Sequence, residues 1–86
     1  MKRIRYNSRE DGSIVTSATL ANNTTSYLAE IEKDGFYRIQ DVSNGQLVAF
    51  KQMKSVREAK RQVRAFLMQN GVTLEKGTRR LPTPVV

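Results

Sequence analysis

The sequence predicts an α+β fold, an antiparallel meander of about five strands with one C-terminal helix packed on one face. Two observations carry that prediction. Turn signals ("EDG" at 10–12, "NNTT" at 22–25, "KDG" at 33–35, "SNG" at 43–45) separate short runs rich in Ile, Val, Thr, Tyr and Phe. Then a single stretch between Ser55 and Gly71 carries apolar residues at helical spacing between a start and a stop signal. The connections among the strands are too short for a parallel crossover, so neighbours must run antiparallel.

The expected strands lie near 2–8, 14–21, 26–32, 36–43 and 46–53. A three-residue loop at "EDG" places Ile4, Tyr6, Ile14 and Ala18 on one face. At "KDG", a two-residue loop would set Ile31 opposite Arg38, whereas a three-residue loop with Gly35 left-handed sets Ile31 opposite Tyr37 and Ala29 opposite Ile39. The longer loop also brings Glu30 across from Arg38, an opposite-charge pair, and is therefore chosen. A two-residue turn at Asn44-Gly45 sets Ile39 opposite Phe50, Asp41 opposite Val48 and Val42 opposite Leu47. The core face is then Tyr27, Ala29, Ile31, Tyr37, Ile39, Val48 and Phe50. The outer face is Leu28, Phe36, Arg38, Gln40, Val42, Leu47, Ala49, Lys51 and Met53, with Phe36 beside Met53 and Arg38 beside Lys51.

The helix opens on a capping box, Ser55 with Glu58 three residues later, and stops at Asn70-Gly71. At 100° per residue it divides into three faces. Val56, Ala59, Val63, Phe66 and Leu67 form the stripe that should lie on the sheet. Arg57, Lys60, Arg61 and Arg64 form a basic stripe, and Glu58, Gln62, Ala65 and Gln69 a nearly neutral third. Like charges at i, i+3 and i+4 repel by a few tenths of a kcal/mol per pair. A helix selected for stability alone would interleave acids there, so the stripe reads either as a solvated face or as a surface for a polyanion.

Composition narrows the function. The 86 residues suffice for one domain, expected over 1–76, followed by a basic, Pro-containing tail over 77–86. There is no Cys and no His, which removes thiolate nucleophiles, the usual metal ligand sets and the commonest general base. No Gly-rich phosphate loop is present. The expectation is a non-enzymatic protein with no cofactor and no metal. No 18-residue apolar run exists, and the basic start "MKRIRYNSRE" is not followed by an apolar stretch, so a cytoplasmic, non-membrane setting is expected. The net charge is +7, and its distribution is uneven. Residues 51–64 hold six bases against Glu58 alone, whereas residues 12–50 hold Lys33 and Arg38 against Glu30, Glu32, Asp34 and Asp41.

This asymmetry points to a polyanionic partner. The expected function is nucleic-acid binding with weak sequence preference, DNA ahead of RNA. Arg57, Lys60, Arg61 and Arg64 would contact phosphates, aided by Lys51, Lys54, Arg79 and Arg80. The alternative is an inhibitor or regulator whose basic face docks on an acidic partner protein. On the outer sheet face, Phe36, Arg38 and Met53 form either a stacking platform for bases or an interface, including one in a homodimer.

Residues 26–70, with "KDGFYRI" and "SNG" followed by a basic helix, resemble the three-strand-plus-helix layout of the DNA-binding domains at the N-termini of phage-type integrases. The resemblance implies a sheet that enters the DNA major groove. It covers about half of the chain and leaves the first hairpin without a counterpart. The small, basic, Cys-free make-up is also similar to that of accessory proteins of tailed phages.

Overall fold

The computed structural model describes residues 4–74 and shows an antiparallel sheet with one helix packed against it. The strands are β1 (Tyr6–Ser8), β2 (Ile14–Thr16), β3 (Leu20–Ala21), β4 (Ser26–Ile31), β5 (Phe36–Asp41) and β6 (Gln46–Gln52), and the helix is α1 (Val56–Gln69). The sheet order is β1-β2-β4-β5-β6, with β3 also paired to β4. The tail beyond residue 76 lies outside the described residues.

The first hairpin has the expected three-residue loop. Ser8 faces Ile14 and Tyr6 faces Thr16, and the Arg9 amide donates to the Ser13 carbonyl at 2.8 Å. Asp11 ties the turn by accepting from the Ser13 hydroxyl and amide, bonds that hold its carboxyl below the ordinary value. The single strand expected over 14–21 is instead broken into β2 and β3, and Ala18 lies exposed in the bend rather than on the core face. Both pieces pair with β4. At the gap, the buried Thr16 hydroxyl accepts from the Ala29 amide at 3.2 Å, so the interruption leaves that donor satisfied.

The β4–β5 hairpin also follows the expected register: Ala29 faces Ile39, Glu30 faces Arg38, and Ile31 faces Tyr37. Its loop is Lys33–Gly35, closed by the Glu32 amide donating to Phe36 and the Gly35 amide donating to Glu32. Gly35 has φ +98°, and a Cβ there would stand 2.6 Å from the Met53 carbonyl oxygen, so both conformation and space require glycine.

The β5–β6 hairpin departs from expectation, and the departure redirects a strand. Its loop spans four residues, not two. Asp41 accepts from the Ser43 amide and hydroxyl, which starts the turn early, and Gly45 at φ +75° ends it with its amide donating to Asp41. Asp41 therefore pairs with Gln46 and Gln40 with Leu47. A bulge then inserts one residue, so that Ile39 faces Ala49, Arg38 faces Phe50, Tyr37 faces Lys51 and Phe36 faces Gln52. The two-residue turn at Asn44-Gly45 is thus corrected, and a net one-residue slip exchanges the sides of β6 from Ala49 onward. Val48 and Phe50, expected in the core, are 43% and 61% exposed. Ala49, Lys51 and Met53 leave the outer face for the helix side, where Ala49 and Met53 pack against the core.

The core consists of Leu20, Tyr27, Ala29, Ile31, Tyr37 and Ile39 from the sheet, with Ala59, Val63 and Leu67 from α1 and Val72 and Leu74 after it. Half-buried Phe66 meets Tyr27 edge-on, with ring centroids 5.7 Å apart. The Ser55 hydroxyl caps the helix start by accepting from the Glu58 amide. At the other end Gly71, at φ +85°, donates to Met68 and Val72 donates to Leu67, a Schellman closure that carries Val72 into the core. Asn22, which also orders the 22–25 turn, donates to the Asn70 carbonyl and ties the helix end to the sheet.

Candidate nucleic-acid interface

The helix presents its basic residues where its caps and its buried stripe force them to be. With Ala59, Val63 and Leu67 against the sheet, Arg57, Lys60 and Arg61 stand exposed along one flank, and Lys54 is exposed just before the N-cap. Arg64, one turn further on, is half-buried and engaged in interactions of its own. No described acidic residue forms an ion pair with Arg57, Lys60 or Arg61.

The flank abuts the edge strand β1. The Lys60 ammonium lies 5.3 Å from the centroid of the Tyr6 ring, over its face. Tyr6 belongs to the helix side of the sheet, packed against the core, and its hydroxyl is buried without a hydrogen-bond partner among the described residues. Burial pushes that phenol up to about 12. The ring is thus a neutral, aromatic floor under one end of the basic flank. Tyr6 lies on the core face, as its place in the first hairpin predicts, but the Lys60 contact is not in that expectation; the signal for it is an aromatic residue on an edge strand beside a basic helix stripe.

The other described residues expected at the site do not join this flank. Lys51 is exposed on the helix side of β6, at the sheet edge opposite β1, and so does not continue the flank beside Tyr6. Arg79 and Arg80 lie outside the described residues. Phe36 and Arg38 occupy the outer sheet face as expected, but Met53 does not. Its place beside Phe36 is taken by Phe50, with ring centroids 6.5 Å apart.

Arg38 is in a different electrostatic state from the helix arginines. Its guanidinium is 5.4 Å from the Phe36 centroid, donates to Glu32, and approaches Glu30 at 3.6 Å. Glu30 also receives Arg9 from the first hairpin. Two arginines and two glutamates cancel across this face. Glu30 and Glu32, which share a strand face as a catalytic pair would, are instead partners of these arginines.

Among the described residues no group of three or more His, Cys, Asp or Glu side chains is placed to hold a metal ion, and no helix is long and apolar enough to cross a membrane. Comparisons with protein-family models, curated proteins and solved structures find no match to this chain.

Proposed function

We propose that the chain is a non-enzymatic nucleic-acid-binding protein that contacts phosphates through the exposed flank of α1. The observation that carries this reading is the row Arg57, Lys60 and Arg61, exposed together and without a described acidic ion-pair partner, on a chain that balances its sheet arginines with glutamates. Phosphate oxygens are the complement such a row lacks. Arg64 and Lys54 extend it along and before the helix, and Lys60 is steadied by the Tyr6 ring. The contacts are to backbone charge, so the binding discriminates little between sequences. With three or four phosphates neutralised on duplex DNA, log K falls against log salt with a slope of about −3 to −4.

The alternative, docking on an acidic protein, uses the same flank and is separated by the test. Labelled single- and double-stranded DNA and RNA are titrated at two salt concentrations with the wild-type chain and with R57E/K60E/R61E. Binding that weakens steeply with salt and is lost in the folded variant supports the proposal, with duplex DNA expected to bind best. No binding even at low salt overturns it and transfers the flank to an acidic protein partner.

A further inference from the structure

On the side of the sheet away from the helix, the redirected β6 displays an apolar patch. Leu47, opposite Gln40, and Phe50, opposite Arg38, stand exposed on that side, with half-buried Phe36 against Phe50; Val42 in the adjoining turn and Val48 at the bulge are exposed too. Large apolar side chains exposed this close together mark a contact site. Among the described strands β6 pairs only with β5, so the patch adjoins an edge of the described sheet. It is independent of the basic flank, from which the sheet separates it.

Charge identifies the occupant. A platform for single-stranded bases needs a cationic groove beside its aromatic rings. On this face Arg9 and Arg38 are matched by Glu30 and Glu32, so it offers no such groove. An acidic protein would be drawn to the helix flank instead. Two copies of a chain carrying +7 repel one another, and an apolar surface bordered by matched charges lets them meet with least repulsion. A two-fold axis brings the same patch of each copy together, so one apolar surface can serve both sides of the contact.

We infer that the β6 patch of Val42, Leu47, Val48 and Phe50, with Phe36 behind it, is a homodimer interface. Such a dimer keeps both basic flanks clear of the contact, which gives a polyanion two attachment points. The inference does not rest on the nucleic-acid reading, and its test contains no nucleic acid.

The experiment is sedimentation equilibrium of nuclease-treated full-length protein, across a range of concentrations, in about 1 M salt, where screening lengths are ~3 Å and charge-mediated association is suppressed. A mass that rises from one chain to two is expected. Phe50→Asp enters the interface twice, and should weaken association by at least about 30-fold while the helical circular dichroism is unchanged. Met68→Asp, at an exposed apolar position on the helix, should leave association unchanged. If Phe50→Asp does not fold, Leu47→Asp replaces it. A wild-type chain that stays monomeric overturns the inference, as does a dimer that survives Phe50→Asp or Leu47→Asp in a folded protein.

Discussion

The helix flank and the outer face of the sheet carry the same kind of side chain in opposite circumstances. On the sheet, Arg9 and Arg38 are held by Glu30 and Glu32 within one ion network, and Arg38 also covers the Phe36 ring. On the helix, Arg57, Lys60 and Arg61 stand side by side with no described acid paired to them. The chain therefore places acids where it uses arginine to organise its own surface, and omits them from the basic flank of α1, where repulsion costs a few tenths of a kcal/mol per pair. A net charge of +7 is not by itself a binding site; what matters is where the charge is left uncompensated.

The contrast can be broken from either side. The largest effect is expected for R57E/K60E/R61E, which should lose at least about 100-fold in DNA affinity at low salt, measured by fluorescence anisotropy, because three phosphate contacts become repulsions. Its melting temperature should change little, since these side chains lie outside the core. Next is Gly35→Ala, which strikes the turn that sets both faces. The left-handed φ and the 2.6 Å approach to Met53 predict a loss of about 3 kcal/mol in urea denaturation, with binding lost only as the fold is lost.

Arg38→Ala should act in the converse way to the helix substitutions. It removes partly exposed ion pairs, so stability should fall by only about 1 kcal/mol, and DNA affinity should hold. The smallest effect belongs to Tyr6→Phe. Removing a buried hydroxyl that lacks a partner should leave stability unchanged or raise it by up to about 1 kcal/mol, with the ring under Lys60 retained. The phenol is raised from 10.0 to about 12 in the folded protein, so its contribution is intact below pH 10 and is lost as pH rises towards 12. The stability of the wild type should therefore fall more steeply than that of Tyr6→Phe across this window in thermal melts.

Much of this arrangement was legible in the residues, for reasons that also explain the failures. The β4–β5 register followed from a strong constraint: only one loop length put Glu30 across from Arg38 and Ile31 across from Tyr37 while giving Gly35 a left-handed role. The helix was readable from Ser55, its apolar spacing and Asn70-Gly71, all of them local signals. Asn44-Gly45 misled because Asp41 competes with it. The Asp41 carboxylate builds its own turn with Ser43, which lengthens the loop, and the bulge that follows has no glycine or proline to announce it. A two-residue turn puts Phe50 in the core, and the slip that turns it outward carries no sequence signal, so the apolar patch is not legible in the residues. The Lys60–Tyr6 contact joins residues more than fifty positions apart and depends on how the helix is set over the sheet, which periodicity does not specify.

The most direct measurement of the central claim is the salt dependence of duplex DNA binding for the wild type, Arg57→Ala and Arg38→Ala in parallel. The account predicts a wild-type slope of about −3 to −4, a slope shallower by about 0.9 in Arg57→Ala, and no change in Arg38→Ala. A slope near zero, or an equal reduction in both variants, would contradict it.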